Sequence, residues 1–151
     1  MNIIGIDPGV NGGIVGIEGD YDNIIYGKMP GTMLGVYDML SQYRGHCYLE
    51  HVWGRKGNNA KSNTKFMTDF GAVQMALTVL KKNITLVTPK KWQTFVGVFP
   101  IKNEKPTAHK NRLKARAQEL FPQIKMTLWL ADALLIAYYG KCLETGKGGN
   151  K

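Results

Sequence analysis

Three short apolar segments within the first 26 residues constrain the fold more than any other feature of the sequence. They span residues 3–6, 12–17 and 23–26, and turn-forming Pro, Gly, Asn and Asp residues separate them. Short apolar runs joined by such turns are typical of β-strands that pair with their neighbours. We therefore expect the chain to begin with three strands in an antiparallel meander.

The rest of the chain alternates between helical and strand-like patterns. Apolar spacing and flanking Gly or Pro residues predict five helices, within residues 29–45, 66–81, 89–97, 107–122 and 127–144. Two further strands are predicted at 46–52 and 84–88, with a polar, basic loop at 53–65 and a linker at 99–106. The order βββαβαβ followed by helices indicates an α/β fold, in which helices flank a mixed five-stranded sheet.

Length and composition limit the class of protein. With 151 residues, we expect one domain over residues 1–145 and a short, disordered, basic tail over 146–151. No apolar run has the roughly 20 residues of a membrane span, and the first residues do not resemble a secretion signal. The two cysteines are expected to be reduced, as in a cytoplasmic protein. The formal net charge of +9 favours a polyanionic partner such as nucleic acid.

Three acidic residues stand in segments that are otherwise apolar. Asp7 ends the first strand, Glu50 ends the fourth, and Asp132 lies within the apolar helix "LWLADALLIAYY". A buried carboxylate is unfavourable unless it is paired, so each requires a basic side chain or a metal ion. Carboxylates held rigidly by strands suit Mg²⁺, and two such ions about 4 Å apart can catalyse phosphodiester hydrolysis. A phosphate loop of the form GxxxxGK[ST] is absent, so no nucleotide cofactor is expected.

The same acids lie in segments that resemble a known family. "IIGIDPGVNGG", "YLEHVWG" and "ADALLIAYYG" resemble the three motifs of RuvC-type Holliday junction resolvases, especially the small bacteriophage members. "TLVTPKKWQ" and "KARAQELFP" also stand where those phage proteins carry similar segments. The resemblance implies an RNase H-like fold, a homodimer and two Mg²⁺ ions, with Mn²⁺ as a substitute. It makes Asp7, Glu50 and Asp132 the catalytic metal ligands.

The sequence departs from the family pattern before the last acid. Members usually carry a fourth ligand, Asp or His, about one helical turn ahead of it. Here Trp129 stands three residues before Asp132, and an indole cannot ligate Mg²⁺. The sequence does not show what completes the second ion site.

Residues that contact DNA are expected around the basic loop and on the basic helix. Trp53 follows Glu50 by three residues and matches an aromatic residue that stacks at the junction centre in the family. Lysine and arginine side chains suit phosphate contacts, and the candidates are Arg55, Lys56, Lys61, Lys65, Lys105, Lys110 and Lys114.

The resemblance implies a metal-dependent endonuclease that resolves four-way DNA junctions by paired nicks. Two alternatives remain open at this point. The first is a relaxed nuclease that also cuts flaps and forks. The second is a non-catalytic junction-binding protein, for which the Trp129 substitution is the only support.

Overall fold

A computed structural model describes residues 2–19, 21–53 and 59–146 of the chain. The strands are β1 (Ile3–Asp7), β2 (Gly13–Glu18), β3 (Asn23–Lys28), β4 (His46–Glu50) and β5 (Ile84–Val87). The helices are α1 (Met33–Gln42), α2 (Ala60–Val79), α3 (Pro89–Phe95), α4 (Pro106–Leu120) and α5 (Leu128–Thr145). Among these described residues, no helix is long and apolar enough to cross a membrane.

The strands form one mixed sheet in the order β3-β2-β1-β4-β5. β1, β2 and β3 are paired antiparallel, whereas β1 pairs parallel with β4 and β4 with β5. The predicted meander and the mixed five-stranded sheet are therefore confirmed. Because β1 and β4 run in the same direction, with Ile6 opposite Leu49, their carboxyl ends lie side by side at one edge of the sheet.

The core consists of two layers, one on each face of the sheet. Along β1, Ile3 belongs to the layer formed with α3, α4 and α5, whereas Ile4 and Ile6 belong to the layer formed with α1 and α2. This alternation follows from the two-residue period of a strand. Because α5 is buried on nearly all sides, its sequence is apolar almost throughout.

Gly5 allows α5 to approach the centre of the sheet closely. A Cβ atom at this position would lie 2.3 Å from the carbonyl oxygen of Ala133 and 2.3 Å from the backbone nitrogen of Ala137. Those distances are far below van der Waals contact, so only glycine fits here. The close packing of α5 on β1 places the start of the helix beside the carboxyl end of the strand.

The start of α2 differs from the prediction. The helix begins at Ala60, so residues 60–65, which the sequence pattern assigned to a loop, are helical. The Asn59 side chain caps the helix by accepting a hydrogen bond of 2.8 Å from the backbone N–H of Ser62. This first part of the helix is mostly exposed, so it has no apolar periodicity that could reveal it. The loop assignment was wrong for this reason.

Candidate active site

Two of the three acids lie at the shared carboxyl edge of β1 and β4. Asp7 is the last residue of β1 and Glu50 is the last residue of β4. Both are buried, with 8% and 7% of their surface exposed. Their carboxyl groups lie close enough for each to raise the cost of charging the other, which contributes to the raised pKa of Asp7.

The third acid reaches the same place from α5. Asp132 is the fifth residue of the helix and is only 2% exposed. The ammonium group of Lys110, from α4, forms an ion pair with its Oδ2 atom. Its Oδ1 atom is buried and has no hydrogen-bond partner among the described residues. An unpartnered buried carboxylate oxygen is unfavourable and marks a place for a donor or a cation.

The electrostatics of this acidic cluster follow from burial and proximity. Burial raises the pKa of Asp7 well above its ordinary value, and the charges of Glu50 and Asp132 raise it further, while Lys110 opposes them. Burial lowers the pKa of Lys110, but the carboxylates, Asp132 foremost, raise it overall. The charged form of Asp7 is therefore disfavoured, and Lys110 offsets this only in part.

Trp92 is a site residue that the sequence analysis did not single out. Its side chain is fully buried on α3, and its indole N–H donates a hydrogen bond of 3.0 Å to Oε1 of Glu50. The bond fixes the orientation of the carboxylate from behind, within the core. The only indication in the sequence was the tryptophan itself, because a buried indole N–H usually requires a hydrogen-bond acceptor.

An open cleft of about 400 Å³ leads from solvent to two of the acids, Asp7 and Glu50. Asp7, Glu50 and Lys110 line its base, and residues of α2 line its side. There, Lys65 forms an ion pair of 3.2 Å with Asp69, one helical turn further on. A polar substrate therefore has access to the carboxylates between α2 and α4.

The donor set suits a hard divalent cation, although it is not arranged as a finished metal site. Within the described ranges, no group of three or more His, Cys, Asp or Glu side chains has the arrangement of a metal centre. One oxygen of Asp132 is paired with the ammonium group of Lys110. The clustered carboxylates and the unpartnered Oδ1 atom are nevertheless the oxygen ligands that Mg²⁺ and Mn²⁺ prefer.

Trp53 lies in solvent just beyond β4. It is 57% exposed, and its ring lies 4.0 Å from that of His51, measured between centroids. The ring of His51 in turn stacks on Phe70 of α2 at 5.9 Å. His51 thus contacts the indole ring, three residues after Glu50, while more than half of the Trp53 surface is exposed among the described residues.

The predicted phosphate-binding residues fall into three groups. Lys61, Lys65 and Lys105 are exposed at the surface. Lys110 and Lys114 share a face of α4, but Lys110 contacts the acidic cluster directly. Arg55 and Lys56 lie outside the described residues, as do residues 147–151 of the predicted tail. Gly146, the first residue of that tail, ends α5 in a left-handed conformation with a φ of 65°.

Trp129 fills the position at which the resemblance places a fourth ligand. Its six-membered ring covers the backbone of Gly13, where a Cβ atom would lie 2.8 Å from Cε3. The ring centroid of Trp129 lies 6.4 Å from the ring centroid of Tyr26. The indole therefore packs against β2 and β3.

Comparisons with known proteins point to one fold. No model of a known protein family matches the sequence, and neither does any protein with a curated description. Among solved structures, the chain is similar to Thermus thermophilus RuvC, with 18% identity, a TM-score of 0.61 and 99% of each chain covered. It is also similar to T. thermophilus RuvC in complex with a Holliday junction substrate, with 16% identity and a TM-score of 0.66 over 99% of this chain and 98% of that one. Over nearly its whole length, the chain therefore has the RuvC-like form of the RNase H-like fold.

Proposed function

We propose that the protein is a metal-dependent, structure-selective endonuclease that cuts four-way DNA junctions. The observation that carries the proposal is the convergence of Asp7, Glu50 and Asp132, of which Asp7 and Glu50 line one open cleft. A fold shared with a RuvC structure bound to a Holliday junction supports the choice of substrate. The positive net charge supports binding to DNA in general.

The three acids would hold Mg²⁺ or Mn²⁺, with two ions as the resemblance implies. When bound, such ions activate water and stabilise the leaving oxygen of a phosphodiester. The protein contributes the positions of the ligands. Trp92 holds one oxygen of Glu50, and the strand backbone fixes Asp7. Lys110 holds Asp132, and its half-exposed ammonium also lines the cleft through which a phosphate would enter.

The substrate would be bound by lysines and by one exposed aromatic ring. Trp53 would stack on bases at the junction centre, since a solvent-exposed indole offers a flat apolar surface. Lysines along α2 and α4 would contact the sugar-phosphate backbone, which positions DNA without reading its sequence. The residues with this role would be Arg55, Lys56, Lys61, Lys65, Lys105, Lys110 and Lys114.

A homodimer would match the approximate two-fold symmetry of a four-way junction. Phe70, Val73 and Leu77 of α2 are buried in the core of the subunit, so they are not available to a partner. Other apolar residues of α1 and α2 are exposed: Met33, Leu34, Tyr37, Met67, Met75 and Val79. We place the interface on these two helices.

The decisive experiment is cleavage of a synthetic four-way junction with Mg²⁺ and, separately, with Mn²⁺. Linear duplex and forked DNA run in parallel, and Asp7→Asn serves as the inactive control. Paired nicks at symmetric positions in the junction, absent with the variant, are the expected result. Equal cutting of forks would favour the relaxed nuclease. Tight junction binding without cleavage under either metal would contradict the proposal and favour a binding protein.

A further inference from the structure

A second cleft lies beside the one lined by Asp7 and Glu50, which we call the acidic cleft, and none of the three acids lines this second cleft. It has a volume of about 510 Å³, within the range of small-molecule sites. We call it the Trp129 cleft, and its lining residues are Asn11, Lys28, Lys110, Lys114, Thr127, Leu128 and Trp129. Asn11 and Lys110 also line the acidic cleft, so the two spaces are adjacent.

The charge of the Trp129 cleft is entirely positive among the described residues that line it. Lys28 comes from the end of β3, and Lys110 and Lys114 come from one face of α4. No acidic residue belongs to the lining, and neither Lys28 nor Lys114 has an ion-pair partner in the described part of the chain. A cleft with this charge favours an anionic ligand.

The arginines of α4, unlike Lys114, have partners within the protein. Arg112 donates two hydrogen bonds to Glu104, of 2.7 and 2.6 Å, and Arg116 bonds to the backbone of Val96 and to Glu119. Those cations stabilise the loop and the helix themselves. On the same helix, Lys110 is paired with Asp132, whereas Lys114 lines the cleft without an ion-pair partner among the described residues, which argues for a ligand-binding role.

The apolar wall of the cleft indicates that the ligand has an apolar part as well as a negative charge. Trp129 is partly exposed and rests on Gly13, so its ring is held in one orientation. Leu128, 50% exposed, extends the apolar wall. A flat aromatic ring close to ammonium groups matches a nucleotide, in which a base stacks on the ring and a phosphate binds the lysines.

We propose that the Trp129 cleft binds one unpaired nucleotide of the substrate strand, next to the phosphate that is cut. The base stacks on Trp129, and Lys28 and Lys114 bind the adjoining phosphate. A base can stack on a protein side chain only when it has left the duplex, so the cleft selects DNA that is open near the cut. The inference rests on the proposed function, because it assigns the ligand of a site beside the proposed catalytic centre.

The test uses the intrinsic fluorescence of Trp129. The chain has three tryptophans, of which Trp92 is fully buried, so Trp53→Phe leaves Trp129 as the accessible one. This variant is titrated with single-stranded oligothymidylate in EDTA, so that neither metal nor cleavage contributes. Saturable quenching that weakens with salt is the expected result.

Substitutions distinguish binding in the Trp129 cleft from non-specific attraction of DNA to the positively charged protein. Replacing both Lys28 and Lys114 by Gln is expected to weaken oligothymidylate binding roughly tenfold or more. The same charge change at Lys81 and Lys102, which line neither cleft, is expected to cost much less. Trp129→Leu, which keeps an apolar filling on Gly13 but has no aromatic face, is expected to weaken binding by a similar factor, since stacking is worth roughly 1–3 kcal/mol per base. Circular dichroism verifies that each variant is folded.

Two results would overturn the inference. One is the absence of Trp129 quenching, and the other is an equal loss of oligothymidylate affinity in the Lys28/Lys114 variant and in the Lys81/Lys102 variant. The outcomes also separate it from the proposed function. Cleavage of junctions by a protein whose cleft variants bind and cut normally would refute the cleft and leave the nuclease intact. Quenching that depends on Lys28 and Lys114, in a protein that cuts no DNA, would support the cleft and refute the nuclease.

Discussion

At the scale of single residues, Lys110 determines how the acidic cluster is tolerated. Three carboxyl groups lie together away from solvent, and one ammonium group is paired with one of them. Removing a charge from water is unfavourable by several kcal/mol unless it is compensated. The cluster therefore lowers the free energy of unfolding when no cation balances its charge. Residues that serve an activity often reduce stability in this way.

The first prediction concerns Asp7→Asn and pH. Because burial and the neighbouring acids raise the pKa of Asp7 in the folded state, the native protein binds a proton that the unfolded chain releases at lower pH. Stability from Asp7 is thus present below the ordinary carboxyl pKa and is lost as pH rises through the folded value. We expect Asp7→Asn to raise the melting temperature in EDTA at pH 7 by at least about 2–4 °C, the shift that 1 kcal/mol gives in a domain of this size.

Thermal unfolding between pH 4 and pH 8 checks this prediction. The advantage of the variant is expected to grow with pH and to shrink when Mg²⁺ is added, because Mg²⁺ stabilises the wild type. Asp69→Asn is the matched control. Its ion pair with Lys65 is at the surface, so its effect is expected to stay below about 0.5 kcal/mol. A variant less stable than the wild type at pH 8 in EDTA would contradict the explanation.

The second prediction concerns the hydrogen bond from Trp92 to Glu50. Trp92→Phe keeps an aromatic ring in the core but removes the N–H donor, so the carboxylate loses its fixed orientation. Hydrogen bonds to charged groups contribute about 1.5–3 kcal/mol. We expect junction cleavage to fall about tenfold and the Mg²⁺ concentration for half-maximal rate to rise.

Val96→Ala is the control for a general loss of packing, because Val96 belongs to the same core layer as Trp92. Both variants are expected to be destabilised, but the Mg²⁺ dependence of cleavage should change only for Trp92→Phe. If the two variants shifted it equally, Trp92 would be a core residue without a positioning role.

At the scale of secondary structure, α5 has two roles that depend on one contact. The helix fills the core on one face of the sheet, and it carries Asp132 to the acidic cluster. Both depend on its close approach to β1 at Gly5. A shift of the helix by one ångström would therefore disturb the core and the site together.

The third prediction is that Gly5→Ala damages stability and activity at once. The added methyl group would contact the backbone of α5, which cannot move aside as a flexible side chain could. We expect a loss of about 1–3 kcal/mol or more in unfolding free energy, and loss of junction cleavage by the protein that remains folded. Chemical denaturation and cleavage assays measure the two effects.

Gly71→Ala is the opposite case in the same chain. A Cβ atom there meets nothing within 4 Å, so the substitution in the middle of α2 is expected to stabilise the protein by up to about 1 kcal/mol. If Gly5→Ala were as harmless as Gly71→Ala, the close packing of α5 on β1 would not be what positions Asp132.

The elements differ in how far sequence reasoning could predict them. The strands could be predicted because each is a short apolar run between turns. Asp7, Glu50 and Asp132 could be identified as candidate site residues because they lie in segments that are otherwise apolar. The start of α2 was missed because residues 60–65 face solvent and follow no apolar period. The contacts of Lys110 with Asp132 and of Trp92 with Glu50 join residues 22 and 42 positions apart, so no local pattern reveals them.

At the scale of the whole molecule, the exposed apolar faces of α1 and α2 are the feature that the single chain does not explain. Met75 and Leu34 are 64% and 69% exposed. Our fourth prediction is that Met75→Glu converts a dimer into a monomer, because an unpaired charge cannot be buried in an apolar interface. Sedimentation measures the mass, and the cleavage products should change from paired nicks to single nicks.

Leu143→Glu is the matched control, since Leu143 is 50% exposed on α5, away from both helices of the proposed interface. It is expected to leave the mass of the assembly and the paired nicks unchanged. A wild-type protein that sediments as a monomer at assay concentrations would refute the proposed homodimer.

The position of Asp132 has a consequence for how the protein is made. The chain emerges from the ribosome with Asp7 and Glu50 first, while the helix that carries Asp132 follows all five strands. Until that helix docks, Ile3, Val15 and Ile17 lack their covering layer. A chain truncated before residue 128 therefore lacks both Asp132, the third acid of the proposed active site, and a closed core. Under the proposed function, incomplete products would therefore be unable to cut DNA before the chain is finished.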